Sequence, residues 1–435
     1  MRIALTHMSS DCNKGDYAIL SATVDALRNA APGAVITAVS AELPHTALDL
    51  PADTRLTRAL GCEIVGTPVP SLRAFDGARG RWVLSLIRAE LLIWARRVIG
   101  DRALMLVSRE DREFFRTLAD ADVVVAKGGS YLHSLGGFGE VIYLWRMLYP
   151  LRIAHAYRRR TVLLGVSFGE HYSVLTRVML RTALRSRGQV YAREPRSLAL
   201  ARSELGVADR DLKLIPDVAF LTANKTPGRP SGDELRVGVT VRYSRFPDAS
   251  PAPALERYKQ ALDHVLGGLL QADPRVRVIF IPQVLEDIQL ARDIAAALEC
   301  SDRVEAIDAD LSLEELLALY AGLDVLIGTR LHSIILAAVT GVPFVHIVVE
   351  PSKSYGTLEM LGMESAGVPY DGITDSALMR AAEHAIANRD EISERLRVRV
   401  EEHRSTLKQI LANYLEPIAG ASQSDGERVD LARAA

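Results

Sequence analysis

Short, continuous apolar runs alternate along this chain with longer segments of helical periodicity. Runs at residues 2–6, 35–40, 122–127, 161–166, 190–193 and 212–215 have the length of strands, and helix patterns lie at 17–30 and 174–185. The runs do not alternate apolar with polar positions, which predicts a parallel sheet covered by helices on both faces. Residues 222–233 read Thr-Ala-Asn-Lys-Thr-Pro-Gly-Arg-Pro-Ser-Gly-Asp, with no periodicity, and predict a linker. Beyond it the pattern restarts, with strands at 236–241, 276–281, 325–327 and 344–349 and helices at 255–271, 288–298, 313–321 and 333–340. The expected fold is α/β: two doubly wound, Rossmann-like domains, 1–222 and 234–417, joined by 223–233 and facing a cleft. Ligands bind at the carboxyl ends of such strands. Residues 43–120 lack strand signals and predict a mainly helical insertion in the first domain. Residues 418–435 predict a disordered tail.

One segment stands apart. Residues 82–99 are apolar at helical spacing but interrupted by Arg88, Glu90, Arg96 and Arg97. An amphipathic helix packed on its domain accounts for this pattern. So does an interfacial helix with Trp82 and Trp94 at lipid headgroups and arginines beside anionic lipid. No run reaches the roughly 18 apolar residues that a membrane-spanning helix needs. The start, Met-Arg-Ile-Ala-Leu-Thr-His, reads as a first strand rather than a signal peptide. The expected location is the cytoplasm, with a candidate contact at the inner membrane face.

Composition sharpens the class. The chain has 435 residues, 49% of them apolar and 24% charged, with a net charge of −2. That balance argues against binding nucleic acid through bulk charge. Three separated cysteines, Cys12, Cys62 and Cys300, argue against a disulfide framework or a cysteine zinc site. No metal site is required by any residue set.

Five motifs carry candidate chemistry. Asn13-Lys14-Gly15-Asp16 follows the first strand. Asp16 reads either as the cap of the next helix or as a group that accepts a proton beside helix-terminal amides. Lys127-Gly128-Gly129-Ser130 follows a strand and permits a tight turn or a close ligand approach. It lacks the third glycine of a dinucleotide fingerprint, and no Walker-type loop occurs, so NAD- and ATP-dependent chemistry have no support. Arg242 ends the first strand of the second half, where its fork suits a phosphate or carboxylate. Gly328-Thr329-Arg330-Leu331-His332-Ser333 follows an apolar strand and opens a helix. Arg330 and His332 are expected to share a face of an extended loop, one holding an anion and the other exchanging a proton. Glu350-Pro351-Ser352-Lys353 adds a cation at the same edge. Gln283 and Asp287 end another strand, as ligands for hydroxyls or as caps.

In order, these pieces resemble the polysaccharide pyruvyl transferases. The series runs Asn13-x-Gly15-Asp16, Gly128-Gly129-Ser130-Tyr131-Leu132, Gly165-Val-Ser-Phe-Gly169, Ala192-Arg193-Glu194-Pro-Arg-Ser197 and Pro216-Asp217. It continues with Val239-Thr-Val-Arg242, Pro282-Gln283 leading to Asp287, Arg330-Leu-His332-Ser333, Gly341-Val-Pro343 and Lys353. The resemblance implies a GT-B-like fold. It also implies transfer of a carboxyethylidene group from phosphoenolpyruvate to two sugar hydroxyls, releasing phosphate, with no further cofactor. The implied donor site is Arg242, Arg330, His332, Ser333 and Lys353. His332 is the general acid by resemblance and by chemistry, Arg330 assists it, and Asp16 is a candidate base. Asn13, Gly15, Asp16, Gly128, Gly129, Ser130, Arg193, Gln283 and Asp287 are the implied acceptor residues. The acceptor is a saccharide, free or lipid-linked. The sequence departs from the pattern at Ser130, where relatives carry a third glycine, in the stretch 131–140 with His133, Gly136 and Gly137, and across 43–120. Two other classes share the architecture: a glycosyltransferase using a nucleotide sugar, with Glu350 on a ribose, and a non-catalytic glycan-binding relative.

Overall fold

The computed structural model describes residues 1–44, 51–72, 78–133, 137–169, 172–184, 188–223, 232–243, 251–298 and 301–434. Gly136, Cys300 and residues 224–231 of the expected linker lie outside them. The chain groups into two units. One comprises Met1–Asp11, Ile19–Val218 and Thr406–Ala435, and the other Cys12–Ala18 and Ala219–Ser405.

The first unit contains β1 (Arg2–Met8), most of α1 (Lys14–Ala30), β2 (Val35–Ser40), α2 (Pro51–Ala59), β3 (Glu63–Val65), α3 (Arg79–Ile99) and α4 (Arg109–Asp120). It continues with β4 (Val123–Ala126), β5 (Gly129–Leu132), α5 (Gly137–Ala156), β6 (Arg160–Phe168), α6 (Val174–Leu184), β7 (Gly188–Ala192), α7 (Pro195–Ser203) and β8 (Leu212–Leu214). All pairings are parallel, in the order β3-β2-β1-β4-β6-β7-β8, with β5 on β6. β4 is Val-Val-Val-Ala and buried throughout, as a central strand covered on both faces must be.

The second unit contains β9 (Leu235–Thr240), α8 (Pro251–Ala272), β10 (Val276–Phe280), α9 (Ile288–Ala297), β11 (Val304–Ala306), α10 (Leu313–Ala321) and β12 (Val325–Gly328). It ends with α11 (Leu331–Val339), β13 (Phe344–Val348), α12 (Pro351–Leu361), β14 (Gly367–Pro369), α13 (Asp375–Ala387) and the first part of α14 (Arg389–Ala434). Its sheet is also parallel, ordered β11-β10-β9-β12-β13-β14. Strand order reverses between β9 and β12, so the loops after these two strands flank the crevice where such sheets bind ligands. A core of Val237, Val239, Phe280, Ile327, Val345 and Leu262 holds the sheet to its helices.

Three features depart from the sequence reading. The units are not contiguous: Cys12–Ala18 belongs with the second, and the chain returns to the first from Thr406 onward. Leu407 and Leu411 are buried, and Tyr414 donates its hydroxyl to the Thr161 carbonyl, so apolar spacing late in α14 serves the first unit. The helix continues to Ala434, past the residue 418 boundary expected for a disordered tail. Residues 43–120 are mainly helical but also supply β3, which lengthens the sheet edge. β3, β5, β11 and β14 have only three or four residues each, too few for a periodicity to register.

Candidate active site

At the crevice of the second unit, Arg242 lies two residues beyond β9. Its Nη2 is 2.7 Å from Oε1 of Glu350, whose other oxygen pairs with Nζ of Lys353. Glu350 ends β13 and Lys353 sits in the first turn of α12, so one carboxylate bridges two cations supplied by two strand ends. Burial opposes the Glu350 charge, but Lys353 and Arg242 outweigh it and hold the carboxyl well below its usual range. Glu350, the residue that a nucleotide-sugar enzyme would place on a ribose, is thus engaged with Arg242 and Lys353.

Arg330 comes from the end of β12. Its Nε and Nη2 donate to the two oxygens of fully buried Asp287, at 2.5 and 2.8 Å. Asp287 Oδ1 also accepts the backbone N–H of Tyr243, at 2.9 Å. One carboxylate therefore fixes both strand-end loops of the crevice. This corrects the expectation for Asp287: it neither caps α9 with its side chain nor faces a ligand, but positions Arg330.

The Arg330–Ser333 segment is also not an extended loop. α11 begins at Leu331, and the Ser333 hydroxyl, fully buried, donates to the Arg330 carbonyl at 2.6 Å while accepting from Thr240. Arg330 is the N-cap residue and His332 projects from the first helical turn. Ser333 closes that turn and is a positioning residue.

The Asn13–Asp16 loop belongs to this same unit. Lys14 N–H donates to the Gln283 carbonyl at 3.3 Å, and buried Lys14 Nζ meets Asp310 at 2.7 Å. A Cβ on Gly15 would stand 2.5 Å from Cγ and 2.6 Å from Cβ of His332. The absence of a side chain at Gly15 is what lets the start of α1 lie against the imidazole. The cap of α1 is Asn13, whose Oδ1 accepts from the N–H groups of Gly15 and Asp16, while its Nδ2 donates to Asp16. Asp16, the cap in one of its two readings, instead receives that bond from the third helical position, half-buried. Gln283 is buried with its amide spent on the Tyr320 hydroxyl, at 2.7 Å.

His346, not anticipated from sequence, braces the site. It is buried in β13 between the Gly328 carbonyl and the Ser354 hydroxyl, each at 2.9 Å. Burial lowers its pKa to about 4, so it is neutral. A carbonyl can only accept, so Nδ1 carries the proton and Nε2 accepts from Ser354. The signal was present: one polar residue inside the fully buried run Phe-Val-His-Ile-Val.

The first unit holds a second cluster, after β4, β6 and β7. Arg193 is buried, donating to Asp217 at 2.7 Å, Ser167 at 2.6 Å and Ser130 at 2.9 Å. Glu194 accepts from Ser167 and Ser197. Burial works against the Arg193 charge, and Asp217 and Glu194 more than offset it. Arg193 therefore holds the Ser130 turn in place rather than presenting itself to an acceptor. A Cβ at Gly128 would meet the Leu164 carbonyl at 2.8 Å, and Gly129 has φ +143°. Both glycines are required by the backbone itself. His7, at φ 66°, stacks on Tyr131 with centroids 4.0 Å apart, and burial brings its pKa to about 4. Among the described residues no group of three or more His, Cys, Asp or Glu could hold a metal ion.

The polysaccharide pyruvyl transferase family model matches residues 13–351. The amylovoran biosynthesis protein AmsJ of Erwinia amylovora is 21% identical over 444 residues, covering 96% of this chain and 100% of that protein. A putative UDP-N-acetylglucosamine 2-epimerase from Listeria monocytogenes superposes with a TM-score of 0.58 at 10% identity, over 98% of this chain and 97% of that one. A glycosyltransferase from Rickettsia africae gives 0.55 at 10% identity, over 96% and 97%. These structural likenesses show the fold, which is GT-B-like. The match begins at Asn13 and ends at Pro351, so it spans both the loop that meets His332 and the strand ends carrying Arg242, Arg330 and Glu350. The chain belongs to the polysaccharide pyruvyl transferase family.

Proposed function

We propose that the protein transfers a carboxyethylidene group from phosphoenolpyruvate to two hydroxyls of a saccharide in polysaccharide or glycolipid biosynthesis. The observation that carries this reading is the meeting of His332, against Gly15, with an edge where Arg242, Arg330 and Lys353 converge. The donor carries a phosphate and a carboxylate, which suit two guanidinium forks and an ammonium. His332 gives its proton to the methylene carbon while a first sugar hydroxyl adds to the neighbouring carbon and loses its proton. The phosphate then leaves with its bonding electrons. The second hydroxyl adds in its place and loses a proton, closing the ketal. Asp16, within reach of the same loop, is the proposed base. The donor supplies the driving force, so the reading requires no metal or cofactor, and it places the protein in the cytoplasm. A lipid-linked acceptor and peripheral membrane contact belong to this reading too, and rest on a separate surface, the outer face of α3.

The test is calorimetric and thermal titration of wild type and Arg330→Ala with phosphoenolpyruvate and, in parallel, with UDP-sugars. A ligand bound only by the native state raises the melting temperature. Stabilisation by phosphoenolpyruvate that Arg330→Ala loses supports the donor. Stabilisation by UDP-sugars alone replaces this reading with nucleotide-sugar transfer. His332→Ala should retain donor binding and lose phosphate release; unaltered turnover removes His332 as the acid.

A further inference from the structure

α3 is apolar on both sides. Its inner side, with Ala89, Leu92 and Ile93, is buried in the first unit's core. Its outer side carries Leu84, Ile87, Leu91, Trp94 and Val98 at spacings of three and four residues. These are exposed: Leu84 by 66%, Leu91 by 62%, Trp94 by 57% and Val98 by 82%. Spacing of this kind makes one continuous stripe along a helix, and a solvated stripe of five large apolar residues marks an interaction surface. Arg79, Arg81 and Arg88 are exposed on the same helix. Residues 79–106 contain six arginines and only two acidic residues, although the whole chain is net negative. No described helix is long and apolar enough to cross a membrane.

We propose that the outer face of α3 docks the protein on an anionic lipid surface. An apolar stripe flanked by arginines buries itself at the acyl boundary while its cations meet the headgroups. Charge decides the occupant: two copies of so basic a helix would repel across a dimer interface, whereas anionic headgroups complement it. The inference rests on this face alone and needs neither the donor nor the acceptor assignment. Its test is sedimentation of the full chain with vesicles of phosphatidylcholine alone and of phosphatidylcholine mixed with phosphatidylglycerol. Wild type should pellet with the mixed vesicles and far less with the neutral ones. Leu91→Glu and Trp94→Glu should abolish pelleting, with the melting temperature and phosphoenolpyruvate binding unchanged. Arg81→Ala and Arg88→Ala should each weaken partitioning about fivefold. Equal pelleting on both vesicles, or no response to the α3 substitutions, overturns the proposal. A concentration-dependent dimer that Leu91→Glu disperses, without vesicle binding, gives the face to a second copy and overturns it too.

Discussion

Gly15→Ala tests the contact on which the catalytic reading depends. Gly15 is the second residue of α1, and in an unobstructed helix alanine is favoured over glycine by about 0.5–1 kcal/mol. Here the new methyl would stand 2.5–2.6 Å from two carbons of His332, while ordinary contact begins near 3.4 Å. The imidazole must therefore retreat by about an ångström. Its helix cannot move with it, because Ser333 pins the first turn to Arg330 and Thr240. Turning the side chain relieves Cγ but not Cβ, which is fixed to the backbone, so the start of α1 must also give way, and a proton donor misplaced by about 1 Å costs on the order of 100-fold in turnover. Arg242 and Lys353 are untouched, so the KM for phosphoenolpyruvate should stay within a few-fold of wild type. Overpacking costs about 1–3 kcal/mol, which outweighs the helical gain, so the melting temperature should fall slightly. Phosphate release with an acceptor glycan measures the first effect and thermal denaturation the second. A variant more stable than wild type refutes the contact, and one with undiminished kcat refutes its importance to the chemistry.

Three further outcomes follow from buried groups. Asp287→Asn removes the charge that fixes Arg330, and since hydrogen bonds to charged groups contribute about 1.5–3 kcal/mol, donor affinity by calorimetry should fall roughly tenfold or more; unchanged affinity would show that Asp287 does not orient the guanidinium. Arg193→Ala strands Asp217 and Glu194 in the interior and should cost about 3–5 kcal/mol in urea denaturation, whereas a loss under about 1 kcal/mol would mean the network is already hydrated. His7 and His346 sit near pKa 4 when folded, against 6.5 when exposed, so the unfolded chain takes up protons first as pH falls. Their stability contribution is intact above pH 6.5 and is lost progressively down to pH 4, about 2 kcal/mol for each by pH 5. The difference in acid sensitivity between wild type and His346→Gln isolates one share, and no difference would place that histidine in water.

Most of both sheets was legible because parallel strands covered on two faces need apolar runs: β4 and β12 are uninterrupted, and β9 and β13 are apolar apart from Arg236 and Thr240 in one and His346 in the other. What was not legible is who pairs with whom. Gln283, Asp287, Arg193 and Ser333 are polar residues in the loops and helix starts that follow strands, and nothing in their spacing tells a ligand-facing side chain from one spent internally. Burial decides, and burial is a property of the assembled chain. The same holds for Lys14, placed on Asp310 across nearly three hundred residues of sequence. The exchange of segments between units also left no local mark, because α1 and α14 are each continuous helices whose apolar positions serve different cores at their two ends. The helix 82–99 shows the reverse case: its pattern allowed two readings, and only the exposure of its outer stripe separates the faces.

The charge balance of the donor edge yields a last prediction. Read from sequence, Arg242, Arg330 and Lys353 are three cations awaiting an anion. In the structure Asp287 and Glu350 already oppose them, but not in the same way. Asp287 is fully buried and binds one guanidinium through both oxygens, so it stays. Glu350 is about one-third exposed and bridges two cations, so an incoming phosphate or carboxylate competes with it directly. Glu350→Gln keeps the shape and removes the competing charge. A unit charge about 5 Å from a bound anion at an effective dielectric near 20 is worth up to about 3 kcal/mol, reduced by solvent at a half-open site. Phosphoenolpyruvate should therefore bind about tenfold tighter, and added salt should erase most of the difference. Weaker donor binding would mean that Glu350 orients Arg242 and Lys353 instead of competing for them. If the variant lost binding of a UDP-sugar that wild type holds, Glu350 would be acting on a ribose, and the donor itself would have to be reassigned.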